Sequence, residues 1–382
     1  GCDAPADQRA GESLQLRPRL TRAVERIAWP FRHRLQSLQC GSQAPLNVPV
    51  WVVPGHARDS FTVFAGYGRQ HAGQIGSGTG FDVYKLRESS NPYIAQAQVT
   101  RTGDTYDLVS TQEHWALEGR NLVRSATLDE FKANPAFVKE MEHAKLDKRI
   151  SLYADVEYRG QQWGMAIDMN TCTGCSACVI ACVAENNIPV VGKAQVRTNR
   201  EMHWLRIDRY FAGSADTPDT YFQPLPCQQC ENAPCEVVCP VAATTHSAEG
   251  LNDMVYNRCV GTRYCSNNCP WKVRRFNFLL YQDWNTPQFK LQRNPDVTVR
   301  SRGVMEKCTY CVQRINAARI QAKRETVLFA GQQNARDAER PIRDGEIVTA
   351  CQAVCPTEAI VFGDINDPNS RVARLKASPR NY

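Results

Sequence analysis

The sequence predicts an α+β fold whose C-terminal part, residues 151–382, is organised by thiols, and three observations predict it. Fifteen of the seventeen cysteines fall into four short groups in that part of the chain. The groups resemble one another in spacing, so they read as an internal repeat. Strand candidates flank them at Gly164 to Asp168 and His203 to Tyr210.

Ahead of the groups, residues 1–45 are polar and basic. Leu20 to Leu38 has a helical pattern, with Arg22, Arg26, Arg32 and Arg34 among Leu20, Val24, Ile27, Trp29 and Phe31. Such a stretch suits a membrane surface or another subunit, and equally a docked surface helix. Pro30 is expected to kink or break it. Residues 46–150 read as β-rich. Val48 to Val53 is a β-branched run closed by Pro54-Gly55, and Phe61 to Phe64 follows. Further strands are expected at Ala95 to Thr100 and Tyr106 to Ser110, separated by a turn at Thr102-Gly103-Asp104. The glycines between Gly66 and Gly80 do not follow a dinucleotide-binding fingerprint and read as turns and bulges. A helix from Leu128 to Lys145, capped near Thr127, leads into the cysteine-rich part.

The first group reads C-x2-C-x2-C-x3-C: Cys172, Cys175, Cys178, Cys182. The second reads C-x2-C-x4-C-x3-C-P: Cys227, Cys230, Cys235, Cys239, then Pro240. The third reads C-x5-C-x3-C-P: Cys259, Cys265, Cys269, then Pro270. The fourth is split into Cys308 and Cys311, then Cys351 and Cys355 before Pro356. Thiolates at this spacing hold cubane iron–sulfur clusters. Groups two and three form an inner module and groups one and four an outer one, like two nested bacterial-ferredoxin dicluster modules. Residues 312–350 are an insertion within group four, starting as a basic helix, Val312 to Arg324, and continuing as a polar loop.

In the bacterial ferredoxin pattern the last cysteine of a group ligates the other cluster of its pair. Cys178 and Cys182 lie four apart, a helical rise of about 6 Å, so one helix can present a thiolate to each of two centres. The rule assigns Cys172, Cys175, Cys178 and Cys355 to a first [4Fe-4S] cluster. Cys182, Cys308, Cys311 and Cys351 hold a second, and Cys227, Cys230, Cys235 and Cys269 a third. The fourth receives only Cys239, Cys259 and Cys265, because Thr262 stands where a cysteine is expected. A hydroxyl is a poor iron ligand, so a [3Fe-4S] cluster is expected there, with Thr262 at its vacant fourth position. A [4Fe-4S] cluster with oxygen or water as fourth ligand is the alternative. Arg258, Arg263, Lys272, Arg274 and Arg275 crowd this stretch, and Lys272, Arg274 and Arg275 are expected at the cofactor. Positive charge favours the reduced, more negative cluster, which suits an acceptor of electrons from a quinol.

Other readings fit less well. Three cysteines within seven residues, as at Cys172 to Cys178, pair poorly as disulfides. Zinc needs four ligands per site and gains nothing from triplets followed by C-P. No C-x-x-C is followed by His, which excludes that haem attachment. His203 and His246 read as packing or hydrogen-bonding residues. Cys2 and Cys40 stand outside the groups. No apolar run approaches the roughly 18 residues that span a bilayer, so membrane association is expected through a partner. The net charge of +7 is mild for 382 residues, and no nucleic-acid partner is expected. Hydrolytic, hydride-transfer, pterin and flavin sites are not legible, so the chain carries no complete catalytic site.

The cluster half resembles the four-cluster ferredoxin subunits of the molybdopterin oxidoreductase superfamily, such as those of polysulfide, dimethyl sulfoxide and nitrate reductases. The strings "AENNIPVVGK" (184–193), "REMHWLRIDRYF" (200–211), "PCQQCENAPCEVVCPVAAT" (226–244) and "GLNDMVYNRCVGTRYCSNNCPWKVRRFNF" (250–278) look like the iron–sulfur B subunit of alternative complex III. "PVWVVPGHARDSFTVFAGYGRQHAGQIGSGTGFDVYKLR" (49–87) is similar to the end of the molybdopterin-like domain that precedes the ferredoxin domain in those subunits. The resemblance implies that 46–150 is a remnant of that domain, without a molybdopterin cofactor, and that the chain is a split-gene subunit or a partial product. It implies an electron-transfer subunit of a respiratory or photosynthetic quinol-oxidising complex, passing electrons toward cytochrome c or a cupredoxin. The implied partners are a polytopic quinol-binding membrane subunit, a multihaem cytochrome c subunit and a separate chain completing the molybdopterin-like domain. The implied location is the periplasmic face of the cytoplasmic membrane, with the three-iron cluster nearest the quinol and Lys272 to Arg275 near the membrane partner. The alternative is the electron-transfer subunit of a molybdopterin reductase of the polysulfide or dimethyl sulfoxide type.

Overall fold

The computed structural model describes residues 32–40, 44–141, 153–154, 156–330 and 340–382. In chain order the elements are β1 (Arg32–Gln39), β2 (Leu46–Pro49), α1 (Gly73–Gly76), β3 (Gln98–Asp107), α2 (Leu128–Ala133), α3 (Phe137–Glu140) and β4 (Trp163–Ile167). There follow α4 (Ala177–Glu185), α5 (Gly192–Arg197), β5 (Arg206–Gly213), β6 (Pro218–Leu225), β7 (Thr244–His246), β8 (Asn252–Met254), α6 (Tyr264–Asn268) and β9 (Arg275–Phe276). The last are β10 (Met305–Glu306), α7 (Val312–Ala330), α8 (Ala350–Ala353), β11 (Ile360–Asp364) and α9 (Arg371–Lys376). These form two compact units: described residues up to Glu118 with 191–199 and 210–220, and residues 119–190, 200–209 and 221–382. All fifteen grouped cysteines belong to the second unit.

The first unit is built on an antiparallel sheet of order β2-β1-β3. This corrects the helical reading of Leu20 to Leu38: residues 32–39 are a strand, and 20–31 lie outside the described residues. Leu38 and Cys40 are buried while Gln39 between them is exposed, the period of two that a strand imposes. Partners on both edges, β2 close in sequence and β3 distant, satisfy the β1 backbone. The boundary expected at 45/46 therefore cuts through one sheet, and the unit ends at Glu118 rather than near 150. Its core is Leu38, Cys40, Val48 and Leu86, with Leu46, Phe81 and Ala97 against it.

Strand content is lower than the β-rich reading implied. Only Val48 and Pro49 of the Val48 to Val53 run lie in a strand, and 61–64 is irregular with Phe61, Val63 and Phe64 exposed. The expected turn at Thr102-Gly103-Asp104 is a bulge inside β3. Arg101 faces Gln36 and Thr105 faces Arg34, so three residues oppose one. Gly103, at φ 87°, absorbs the extra chain.

In the second unit, Thr127 caps α2 as expected, in a capping box with Glu130. The helix is shorter than expected: it ends at Ala133, Pro135 follows Asn134, and α3 resumes at Phe137. Strand β4, ahead of the first cysteine group, pairs antiparallel with β11, behind the fourth. Strands β7 and β8 pair between groups two and three, and β9 pairs with β10 between groups three and four. The cysteine segments are thus bracketed by pairings that close the outer strands around the inner ones. Trp163 of β4 stacks on Phe362 of β11 at 5.6 Å, and Tyr310 meets Phe362 edge-on at 5.3 Å. These rings form the main core with Leu251, Ile315, Ala322, Ile342 and Ile347. Burying a side chain such as Phe362 contributes roughly 1.5–3 kcal/mol. Helix α7 runs six residues beyond the expected Arg324. Of the polar loop after it, 331–339 lie outside the described residues, and Arg340 anchors the rest through Glu325 and Glu346.

One polar hub is wholly interior. Glu306 and Arg300 are 0% and 2% exposed, and the carboxylate also accepts from Trp204 Nε1 at 2.9 Å and Asn277 Nδ2 at 2.8 Å. Arg300 Nη2 donates to Glu306 at 2.9 Å and Nη1 to Asn186 O at 2.8 Å. Breaking a buried pair from one side leaves an uncompensated charge. Glu306→Gln should therefore cost about 3–5 kcal/mol, read as a lowered urea midpoint. A loss below about 1 kcal/mol would mean that the neutral hydrogen bonds hold this hub.

Candidate metal centres

The four groups share a backbone device. Gly174, Gln229, Gly261 and Tyr310 each precede the second residue of a C-x-x-C, or of its C-x-x-T equivalent at Thr262. All four are left-handed, at φ 67°, 48°, 77° and 54°. Such a residue reverses the chain and turns successive N–H groups inward, the concavity that anionic sulfur centres use. A second set follows the C-P cysteines. Ala242, Lys272 and Glu358, three residues after Cys239, Cys269 and Cys355, stand at φ 48°, 51° and 51°. There the backbone closes onto sulfur: Ala243 N–H donates to Cys239 Sγ at 3.2 Å, and Ala359 N–H to Cys355 Sγ at 3.3 Å. Helices α4 and α6 both start after a left-handed residue, Ser176 or Arg263, so the third group copies the first although Thr262 replaces a thiol.

Thiols distant in sequence gather into four sets. Cys172 lies in electrostatic contact with Cys175 and Cys355, and Cys178 with Cys172 and Cys175. Cys182, on α4, lies within electrostatic reach of Cys308, Cys311 and Cys351. Cys230 lies within reach of Cys227, Cys235 and Cys269, and Cys265 within reach of Cys259 and Cys239. Two sets line recesses. One, of about 350 Å³ with its mouth included, is lined by Cys182, Cys308, Cys311 and Cys351. The other, of about 320 Å³ with its mouth included, is lined by Cys239, Cys259, Cys265 and Thr262. The sets form a series. Cys178 lies near Cys351, Cys308 near Cys227, and Cys235 shares one buried cluster with Cys265. Cys175, in the first set, is exposed at one end of the series.

The protonation chemistry separates two kinds of thiol. Burial pushes Cys178 up to about 12 and Cys230 and Cys311 up to about 11, and it raises Cys182 and Cys308 further. These thiols stay neutral until a cationic centre displaces their protons, so loading releases protons. Burial also acts on Cys239 and Cys355, but backbone N–H groups outweigh it and hold both below the ordinary thiol value. Thr357 assists at Cys355 and Arg274 at Cys239.

The basic residues divide. Arg274 is buried and donates to Cys235 Sγ at 3.0 Å. Arg275 is buried too but turns away from sulfur, to Glu201 Oε1 at 2.6 Å and His203 O at 3.0 Å. Lys272 is exposed and caps Asn267 O at 2.6 Å. Arg275 and Lys272 thus do not reach the thiols as expected, and the interior position of both arginines removes them from any partner-facing surface. Arg263 stacks over Phe276 and Phe278. His246 is held by Tyr158 at 2.7 Å and Glu236 at 3.2 Å, a hydrogen-bonding role as expected. Sequence reasoning missed two residues here. Tyr310 is buried and lies within electrostatic reach of Cys308 and Cys351 of the second set and of Cys227 and Cys230 of the third. Lys307, 0% exposed, acts on Cys235 and donates to Cys308 O at 2.8 Å. Adjacency to a grouped cysteine was the available signal for both, Cys308 for Lys307 and Cys311 for Tyr310.

The residues fit iron–sulfur clusters. All fifteen thiols are free of disulfides, they converge in threes and fours, and soft sulfur donors select such centres. The orphaned Nε–H of buried Arg274 lies beside the thiols as an unused donor. The first turn offers a test. A Cβ on Gly174 would enter the left-handed region and collide with the Phe222 ring. Gly174→Ala should cost roughly 1–3 kcal/mol of stability and lower the bound iron. Unchanged thermal unfolding and iron content would mean that the turn does not govern assembly.

The family described as 4Fe-4S dicluster domain matches residues 171–243. The iron–sulfur cluster-binding subunit of menaquinone reductase from Nitratidesulfovibrio vulgaris is 41% identical over 220 residues, covering 57% of this chain and 81% of that protein. Iron–sulfur subunit 1 of the Hdr-like menaquinol oxidoreductase of Archaeoglobus fulgidus is 32% identical over 56% of this chain and 75% of its own. The B subunit of polysulfide reductase from Wolinella succinogenes is 31% identical over 57% and 84%. With the thiol sets and these likenesses together, the protein belongs to the iron–sulfur cluster-binding subunits of the molybdopterin oxidoreductase family.

Proposed function

We propose that this chain is the electron-transfer subunit of a membrane-associated, quinone-linked oxidoreductase of the polysulfide and dimethyl sulfoxide reductase type. It would relay electrons through three [4Fe-4S] clusters and one [3Fe-4S] cluster, ligated as the sequence rule assigns them. The observation that carries this is the serial neighbourhood of the four thiol sets. One-electron storage is what the clusters supply when bound. The chain's own part is to fix their order, exclude water and compensate added charge. The menaquinone, menaquinol and polysulfide enzymes among its relatives support this type. A polytopic quinone-binding subunit and a separate catalytic chain are the partners it needs. Among the described residues no helix is long and apolar enough to cross a membrane, so a peripheral place beside the membrane subunit fits.

The second reading is the B subunit of alternative complex III, on the periplasmic face with a multihaem cytochrome as partner. It rests on the long strings from Ala184 to Phe278, and it would make the first unit a remnant of a molybdopterin-like domain. Metal analysis of the purified native complex separates the two: molybdenum supports the reductase type, and haem iron without molybdenum supports the second. Quinol that fails to bleach the cluster absorbance of the active complex would sink both.

The three-iron assignment makes its own prediction. Oxidised protein should give the [3Fe-4S]⁺ paramagnetic signal and bind about fifteen irons per chain. Thr262→Cys should abolish that signal and raise the iron count by about one. A signal that survives the substitution would contradict the vacant corner at Thr262.

A further inference from the structure

Among the described residues three arginines of the cluster unit are buried: Arg274, Arg275 and Arg300. Two have carboxylate partners, Arg275 with Glu201 at 2.6 Å and Arg300 with Glu306 at 2.8 Å. Arg274, 6% exposed, differs. Its Nη1 donates to Cys235 Sγ at 3.0 Å and Asn252 Oδ1 at 3.2 Å. Its Nη2 donates to Thr244 Oγ1 at 2.6 Å and Met254 Sδ at 3.2 Å. Its Nε–H has no acceptor. Among the described residues none of its hydrogen-bond acceptors is a carboxylate. A desolvated cation costs several kcal/mol unless a negative charge faces it. The sulfurs that face Arg274 can carry that charge, and they come from two sets: Cys235 from the third, Cys239 and Cys265 from the fourth.

We propose that Arg274 is the shared counter-charge of the third and fourth centres, a positioning residue that makes both easier to reduce. The inference rests on the proposed reading that both sets hold clusters. Each reduction adds one electron to a centre, drawn from the quinol that the proposed function supplies. A fixed cation already beside the ligands offsets that charge without a proton having to move. The orientation is set by the backbone: β9 begins at Arg275, and successive side chains of an extended segment point to opposite sides. Arg274 therefore faces the sulfurs and Arg275 faces Glu201.

The test is a redox titration of the cluster-loaded complex, followed by paramagnetic resonance, in Arg274→Met, Arg274→Gln and Arg274→Lys. The neutral variants should lower two of the four midpoints, each by a tenfold or larger shift in the reduction equilibrium, about 59 mV for a one-electron couple. The other two midpoints should stay in place. Arg274→Lys keeps the charge and should stay closer to the original protein than either neutral variant. If the neutral variants lose the iron of one pair of clusters while Arg274→Lys retains it, the counter-charge role is supported by retention instead. Neutral variants that load fully with unshifted midpoints, or that shift all four alike, overturn the proposal. So does loss of the same iron from Arg274→Lys, since charge would then not be what matters. A parent complex with no reducible cluster would instead overturn the proposed function itself.

Discussion

The cluster unit depends on bringing thiols together without letting them pair. A disulfide needs two Cβ atoms roughly 3.5–4.5 Å apart, which neighbouring cysteines in a loop could approach. Here the left-handed residue before the second position of each C-x-x-C bends the chain so that thiols face a common centre instead. Only two of the four such positions are glycine; Gln229 and Tyr310 adopt the strained region as well. For L-residues that costs about 1–2 kcal/mol each, so the surroundings must hold them there. Gln229 is held by bonds from its Nε2 to Cys308 O and from Asn252 N–H to its Oε1. The ring of Tyr310 is packed against Phe362 in the main core.

That constraint accounts for the nesting. Helix α4 carries Cys178 and Cys182 on successive turns, so it contributes to two sets at once and cannot be placed without both. The β4–β11 pairing fixes the chain ends that bring Cys355 to Cys172, and the β9–β10 pairing carries the chain from group three into group four. Neither β9 nor β10 is long, at two residues each. Their stability comes from the interior hub at Glu306, which sits on β10 and draws Trp204, Asn277 and Arg300 to one point. Strand pairing, ion pairing and thiol convergence therefore stabilise one another.

The four cysteine groups were legible in the sequence because cysteine spacing is a local signal, and the ligand-exchange rule proposes which distant thiols share a centre. In the structure Cys182 lies near Cys308, Cys311 and Cys351, and Cys230 near Cys227, Cys235 and Cys269. The Thr127 cap was legible for the same reason: its partner Glu130 is three residues away. What failed depended on strand pairing. β1 looked helical because arginines and apolar residues can satisfy either period over a short stretch, and only β2 and β3 decide for a strand. Gly103 looked like a turn because a bulge uses the same residue types. Charge was the least legible feature, since five basic residues in one stretch carry no sign of which one meets sulfur.

Arg274 and Arg275 make that last point physical. They are adjacent and almost equally buried, yet one neutralises a carboxylate and the other faces sulfur. Lys307, wholly interior and also acting on Cys235, adds a second cation. Its ammonium donates to a carbonyl, Cys308 O, and its acidic neighbour Asp253 is itself pushed above the ordinary carboxylate range by burial. Two cations so weakly compensated in a desolvated interior are tolerable only where anionic charge is to be held. Thiols kept neutral by burial do not supply that charge by themselves. It arrives with the metal centre, whose thiolates and sulfides are negative. The cations thus favour a loaded protein over an empty one, and within a loaded protein they favour the state with the extra electron. Assembly and redox tuning are in this sense the same electrostatic choice.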